Sequence, residues 1–512
     1  MSASRVNGAG APRHRVAPLG EETKQCGKDV CVERLSLGGL ALLPEWRIRL
    51  TLCTLVLALP ACAPLKPFPE PVTTLPGNYA SAPSSDTAAL PGERWWTLID
   101  DPDLPGLVET ALRNNRDLRR AVARIDEADA VLRLNGAALL PQINVESGAV
   151  RNRVTEVGAV PLPANAPTFR SDQRLALTTS YELDVWNRLR STREASRAAL
   201  LAAREAADAV AMTLASTVAQ TVVGLRATDL SLELTRKTLA SREESLRLIR
   251  IRRAEGVGSE LEERQAEAAL ENLRAQRLLL ERNRGLLQNQ LALLSGDPAT
   301  TLEVRADAGM PEAPVPPAGL PSALLQNRPD VRAAEAQMRA ARLQTEVVRA
   351  ARFPLITLTG TLGQQSGELA DLLSAPARIW TLAAGLTAPL FDAGRAEART
   401  EQARAQAMQV QIAYEGTVLT AFREASDALL SLEQNRRIET AQAAQRDASA
   451  AAAGVARLRY QSGYSGWLEV LDAERSANAA EQAWVTARQN RIAATIDLLK
   501  ALGAGWPATS RP

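Results

Sequence analysis

The stretch Tyr460-Gln-Ser-Gly463-Tyr-Ser-Gly466-Trp467-Leu468-Glu469-Val-Leu-Asp472-Ala-Glu-Arg475 lies between two long alanine-rich runs. Gly463 and Gly466 interrupt the helical pattern, because glycine enters the left-handed conformations a tight reversal needs. Ser465 is placed to cap the helix that follows, with Glu469 in its first turn. The stretch reads as the tip of a helix–turn–helix. Beyond the turn, Leu468, Asp472 and Arg475 are four and three residues apart and share one helical face.

The same tip occurs earlier. Arg250-Ile-Arg-Arg-Ala-Glu-Gly256-Val-Gly258-Ser-Glu-Leu261-Glu262 matches Arg457-Leu-Arg-Tyr-Gln-Ser-Gly463-Tyr-Ser-Gly466-Trp-Leu468-Glu469 at an offset of 206 to 207. Arg116-Asp117 matches Pro329-Asp330 and Leu140-Pro141 matches Phe353-Pro354, both at 213, while Trp186-Asn187 matches Phe391-Asp392 at 205. Four landmarks in one order argue for an internal duplication.

The 512 residues are rich in Ala, Leu, Arg, Glu and Gln and only 4% aromatic, which favours long helices over several compact globules. A net charge of +2 gives no electrostatic case for nucleic acid. Cys26, Cys31, Cys53 and Cys62 all precede residue 63, so the body needs no disulfide, as suits an exported chain. The single His14 lies in the N-terminal tail, which leaves the body without the commonest general base and metal ligand. The Cys26-x4-Cys31 spacing suits no common metal site. No Walker A loop, G-x-S-x-G elbow or HExxH motif is present, so neither an enzyme nor a cofactor is expected. Arg–carboxylate clusters on the helices have solvated i,i+4 pairing as their ordinary explanation.

Residues 1–45 show no sustained period and read as disordered or as an extension from a misplaced start. Residues 46–61 read as a signal peptide: Arg47-Ile-Arg49, then the apolar run from Leu50, too short for a membrane helix of ~20 residues. Leu59-Pro60-Ala61-Cys62 is similar to a lipobox, in which Cys62 becomes the lipidated first residue; an ordinary signal peptide with a coincidental cysteine is the alternative. Residues 62–92, rich in Pro, Ser and Ala, read as an extended segment.

The body then divides into a first repeat over 93–298, a Pro-rich connector over 299–321, a second repeat over 322–506 and a tail over 507–512. In the first repeat a helix is expected over 103–138, and Pro141 stops it. Strand-like alternation follows over 142–151 and 174–183, with a Pro-rich loop between. From about Arg190 to Ala254 there is no proline, and Val218, Leu225, Leu232, Leu239 and Leu246 recur every seven residues, a coiled-coil period. After the Gly256 tip, Leu273, Leu280, Leu287 and Leu294 carry the period on. The second repeat follows the same plan: helix 322–352, strands 355–362 and 379–389, long helix 395–460, tip, and a last helix to about Leu502. One helix of ~65 residues matches two shorter ones end to end, so each repeat gives paired columns roughly 100 Å tall.

Each strand has about the length a tilted strand needs to cross a bilayer. Four strands cannot close a barrel, and an open sheet in lipid leaves backbone groups unpaired at its edges. Either several chains share one barrel, or the strands form a small soluble sheet packed on helices.

At this point the chain resembles a known family, the TolC-like outer-membrane efflux factors, in their lipoprotein branch (OprM/NodT-type). The likeness rests on Leu112-Arg-Asn-Asn-Arg116-Asp-Leu118, Tyr181-Glu-Leu-Asp-Val-Trp-Asn-Arg-Leu-Arg190, Leu324-Leu-Gln-Asn-Arg-Pro-Asp330, Pro389-Leu-Phe-Asp-Ala-Gly394, Val470-Leu-Asp-Ala-Glu-Arg475 and Lys500-Ala-Leu-Gly503. It covers about residues 63 to 506. The resemblance implies a mainly α fold with a small β part: a coiled-coil α-helical barrel joined to a shared transmembrane β-barrel, four strands per protomer, in a homotrimer. It implies an exit duct in the outer-membrane lipid, lipid-anchored, its helical tunnel in the periplasm, served by a periplasmic adaptor and an inner-membrane efflux pump. Carried over by position, Tyr460, Leu468, Asp472 and Arg475 are the periplasmic gate, and the turns at Gly256, Gly258, Gly463 and Gly466 are adaptor contacts. The family more often has a small polar residue where Trp467 stands. The alternatives are an ordinary exposed pair for Asp472 and Arg475, and for the whole chain a non-conducting periplasmic coiled-coil lipoprotein. A periplasmic adaptor would need a lipoyl-like β domain, which is not visible.

Overall fold

The structure, a computed structural model, describes residues 67–506 except 73, 80–91, 93, 158–162, 164–165, 297–308 and 320. The expectations for residues 1–45, the signal peptide, Cys62 and the tail 507–512 lie outside the described residues. Everything below belongs to the unit that begins at Phe68.

Among the described residues, eight α-helices and four strands follow in order: α1 (Leu104–Asn114), α2 (Arg116–Ala137), β1 (Gln142–Arg153), β2 (Phe169–Glu182), α3 (Arg188–Ala254), α4 (Glu260–Leu294), α5 (Leu324–Asn327), α6 (Pro329–Ala350), β3 (Leu355–Ser366), β4 (Arg378–Thr387), α7 (Arg395–Gln461) and α8 (Trp467–Ala501). At 67 residues each, α3 and α7 are ~100 Å long.

The expected helices over 103–138 and 322–352 are each broken, for local reasons. Asn115 stands extended (ψ 134°); its Oδ1 accepts from the amides of Asp117 and Leu118 at 2.9 and 3.1 Å, and its Nδ2 donates to the Leu294 carbonyl at 3.0 Å. An N-cap that also ties down the end of α4 is worth more here than an unbroken helix. In the second repeat the break falls at Arg328 (ψ 120°), since the ring of Pro329 disfavours helical backbone in the residue before it. Arg328 is buried and pairs with Asp330 at 2.6 Å and Glu424 at 2.8 Å, and donates to the Ala501 carbonyl at 3.1 Å.

The two repeats correspond element by element along the sequence. Residues 116 and 329 open α2 and α6, and 142 and 355 open β1 and β3, an offset of 213. Residues 188 and 395 open α3 and α7, 254 and 461 close them, and 260 and 467 open α4 and α8, an offset of 207. The hairpin registers agree: Gln142 faces Ser180 as Leu355 faces Thr387. The six residues are lost between paired strands. The match of Trp186-Asn187 with Phe391-Asp392 is therefore two residues out of step; Asn187 corresponds to Gly394, and both sit left-handed (φ 59° and 80°) at the N-caps of the long helices.

The heptads pack as their period requires. Val218, Leu225, Leu232, Leu239 and Leu246 are all buried, and Leu280, Leu287 and Leu294 are half-buried. α3 holds the one described helix long and apolar enough to cross a bilayer, but 61% of that window is buried, as befits a core helix. At mid-height Trp95, Trp96 and Trp506 close a core on α1, α3 and α8. There Arg226 and Asp101 are both buried and pair at 2.7 Å, with Asp103 also 2.7 Å from Arg226. A second core packs Tyr79 on α6, α7 and α8, and a third lies near the tips.

Candidate functional site

The four strands form one antiparallel sheet in the order β1-β2-β3-β4. Alternation within each strand is weak, but the register adds it up. Val145 faces Leu177, Leu177 faces Leu362, and Leu362 faces Trp380; next to this row lie Ile143, Leu175, Leu358, Leu382 and Leu386 on the same side. The outer strands expose their side chains most, 69% for Val145, 74% for Trp380 and 77% for Leu382, while Leu175 and Leu177 are less exposed and Leu358 is half-buried. The other face carries Asn144, Glu146, Thr178, Ser180, Thr357, Thr359, Thr361 and Thr381, and Thr178 donates to Glu146 at 3.2 Å. One face suits hydrocarbon and the other water, the pattern of a transmembrane barrel wall. Beyond β1 and β4 no described strand pairs, so both edges are open.

At the far end of the long helices, both tips turn by the same device. Gly256 and Gly463 are left-handed (φ 77° and 80°). The amides of Val257 and Tyr464 reach back to the Arg252 and Arg459 carbonyls at 2.9 and 2.8 Å, a Schellman closure. Gly258 is required for a different reason: a Cβ there would come within 2.8 Å of the Arg253 amide nitrogen. Gly466 is neither left-handed nor crowded (φ −81°, open space around it), which corrects its reading as a second helix breaker.

The tips differ in how the next helix starts. Ser259 caps α4, and Glu262 reaches back to it, a full capping box. In the second tip Gly466 takes that place, and Ser465, one residue too early to cap, keeps a buried hydroxyl without a partner. Ion pairing differs as well. In the first tip Arg253 and Arg250 converge on Glu263, and the hydrogen bond from Arg253 holds that carboxyl below its ordinary range.

The structure brings three of the four candidate gate residues together. Leu468 is 62% exposed, and Asp472 and Arg475 beside it pair at 3.4 Å with both side chains in solvent. Tyr460 is not among them. Its ring packs edge-on against Trp467 at 5.5 Å, under the guanidinium of Arg252 at 5.0 Å, and burial pushes its phenol above the ordinary value, with Arg252 opposing. Trp467 is thus a buried plug within the hairpin.

Sequence reasoning missed the group that ties this hairpin to its neighbour. Glu474 on α8 pairs with Arg457 on α7 and, at 2.8 Å, with Arg242 on α3; Arg242 and Glu474 are both largely buried. Burial lowers the Arg242 pKa, while Glu474 holds it up. A signal was available: Arg250 and Glu267, 17 residues apart like Arg457 and Glu474 and offset from them by 207, pair at 2.8 Å in the first repeat. Among the described residues no cluster of His, Cys, Asp and Glu could hold a metal.

The chain as a whole is similar to known proteins. The family model for outer membrane efflux proteins matches residues 107–297 and 320–504. Outer membrane protein OprJ of Pseudomonas aeruginosa is 35% identical over 461 residues, covering 88% of this chain and 95% of that protein. The toluene efflux pump outer membrane protein TtgF of Pseudomonas putida is 36% identical over 415 residues, covering 80% and 85%. Among solved structures, the open state of the MtrE outer membrane channel of Neisseria gonorrhoeae superposes with a TM-score of 0.77 at 30% identity, covering 87% of this chain and 99% of that one. With both repeats matched and the sheet, columns and tips in place, the chain belongs to the outer membrane efflux protein family.

Proposed function

We propose that the chain is the outer-membrane exit channel of a tripartite efflux system, passing small molecules delivered by an inner-membrane pump and a periplasmic adaptor. The observation that carries this is the sheet: apolar on one face, polar on the other and open at both edges. In lipid such a sheet must be closed by further copies. A homotrimer supplies them, each copy giving four strands to the barrel and its helical columns to the tunnel. Leu279, Leu286 and Leu293 support this reading; they form a seven-residue row on α4 that is more than half exposed in the single chain. Leu468, Asp472 and Arg475 form the gate in this reading, and the turns at Gly256, Gly258, Gly463 and Gly466 the adaptor contacts. Tyr460 acts behind the gate by supporting Trp467. Cys62 is the acylated first residue of the mature chain, which mass spectrometry of the purified N-terminus tests directly; an unmodified or different terminus would refute it.

The decisive experiment is conductance of the purified protein in planar bilayers. Channels of large conductance are expected, increased when the gate is mutated. A trimer that never conducts, even with Leu468 and Asp472 replaced, would point instead to the non-conducting lipoprotein scaffold.

A further inference from the structure

We propose that the loop-side rim of the sheet binds the phosphorylated glycolipid of the membrane's outer leaflet, through Arg151, Arg153 and Arg378. This rests on the trimeric channel reading above and adds a lipid partner to it.

The strand register decides which face each charge occupies. Val145 and Trp380 stand on the apolar face, so Arg151 and Arg153, six and eight residues after Val145, and Arg378, two before Trp380, stand on it too. They are the only charged residues on that face of the four strands, which carries no Asp, Glu or Lys. The opposite face mixes signs, with Glu146, Asp172 and Glu182 among Arg170 and Arg174. Charges facing lipid are costly at the bilayer midplane and tolerated near its surfaces, which explains why none lies lower on the apolar face. It does not explain why the rim has one sign. Nor do the two rims match: at the helix end the same face ends on Ile143, Tyr181, Ile356 and Leu386, with no charge. The helices lie in the periplasm, so the arginines, next to the hairpin loops, lie at the outer leaflet.

The surroundings leave these guanidinium groups short of anions. Arg151 and Arg153 share one ring, that of Phe169, at 5.8 and 5.7 Å from its centre. The ring face holds them side by side and leaves their N–H donors unused. Arg153 has Glu156 at 3.6 Å, but both side chains are about two-thirds exposed, so that pair contributes little. Arg151 and Arg378, both exposed, pair with no carboxylate among the described residues. β1 and β4 are the two open edges, so closing the barrel sets the Arg378 edge of one copy beside the Arg151 and Arg153 edge of the next. Each seam then gathers three guanidinium groups around one weakly held carboxylate. A guanidinium fork fits a phosphate through two parallel hydrogen bonds, and a glycolipid with several phosphates on its sugar head can engage more than one fork. Phe169 and Trp380, 57% and 74% exposed, give the rim the aromatic surface that suits the level of a lipid head. A phospholipid of the inner leaflet has the phosphate but faces the rim without arginines.

Native mass spectrometry of the detergent-purified assembly, incubated with bis-phosphorylated lipopolysaccharide, tests this. Bound glycolipid is expected, up to one per seam. Arg151→Gln with Arg153→Gln and Arg378→Gln should weaken binding about tenfold or more, since every charge-assisted contact at the seam is lost. Arg378→Gln alone should weaken it by a smaller factor, and it decides the matter if the triple variant does not assemble. Arg170→Gln with Arg174→Gln removes charge from the other face at the same end of the sheet and should leave binding unchanged. Stripping the phosphates from the glycolipid should cost the native protein as much binding as the triple substitution does. Undiminished binding in the arginine variants, or of the dephosphorylated lipid, would overturn the site. Equal displacement by phosphatidylglycerol would overturn the glycolipid as its occupant. The same spectra give the copy number: a trimer that binds no glycolipid would overturn this proposal alone, whereas a single copy would overturn the trimeric reading beneath it.

Discussion

Replacing Glu474 by alanine should loosen the second tip without unfolding the columns. The carboxylate lies between Arg457 and the buried Arg242. Without it, two guanidinium groups face each other, and Arg242 has no anion where burial already disfavours its charge. Breaking a buried pair from one side costs ~3–5 kcal/mol, and because Arg457 is half in solvent the low end, ~3 kcal/mol, applies. The cost falls on the α3–α8 contact near the tip, far from the tryptophan core at mid-height. At 1.36 kcal/mol per decade, opening of the hairpin around residues 458–470 should rise about a hundredfold. Hydrogen exchange reads this directly: amides flanking Gly463 should lose about two decades of protection, those of Val218 to Leu225 should keep theirs, and resting conductance should rise. Arg242→Met combined with Glu474→Met should recover most of the protection, since an apolar pair replaces a buried ion pair at little cost. Unchanged exchange at the tip in Glu474→Ala, or equal loss in the tip and the tryptophan core, would refute the reasoning.

Leu468→Ala with Asp472→Ala should raise resting conductance and sensitivity to large antibiotics with the melting temperature nearly unchanged, because Leu468 is largely exposed and the pair of Asp472 with Arg475 lies in solvent. Tyr460→Ala should differ by lowering tip protection in hydrogen exchange, as it removes the support under Trp467. Gly258→Ala should weaken crosslinking to an adaptor by displacing the Arg253 backbone, whereas Gly466→Ala should leave it unchanged. Burial raises the Tyr79 phenol from 10.0 to about 12, and its hydroxyl has no partner. Between those values the unfolded chain releases the proton and the folded one keeps it, so stability should fall as pH rises from 10.0 to about 12. Tyr79→Phe should make that slope shallower, leaving the share of the other buried phenols, at no cost at neutral pH, measured by denaturant unfolding.

The duplication, the long helices and the tips were legible because each depends on local chemistry: glycine at a reversal, proline at a boundary, leucine every seven residues. The break at Asn115 was less so, since its second role is to hold the end of α4, 179 residues away. The faces of the sheet could not be read strand by strand. Thr179 and Gly360 belong to the apolar face only because the register sets them among Leu177, Leu358 and Leu362. After the second tip, spacing alone grouped Leu468, Asp472 and Arg475 on one exposed face, as the structure has them. Tyr460 is on the other side of the turn, and nothing in its spacing shows that its ring turns inward to Trp467. Arg242 is further still, on a helix of the other repeat, and was beyond any local pattern.

The segment before the folded body also fixes how the molecule bears a pull. Phe68 lies between the guanidinium groups of Arg342 and Arg404, at 5.4 and 5.2 Å. The Val72 amide donates to Glu415 at 3.1 Å, and Tyr79 stacks on Phe422 at 5.6 Å. These fastenings succeed one another along α7 in the chain's own direction, at Arg404, Glu415 and Phe422, so tension applied ahead of Phe68 in line with α7 would load them together in shear. In a molecule held at its sheet, the load would pass through the half of α7 nearer the strands, and the stretch from Phe422 to the tip would carry none of it.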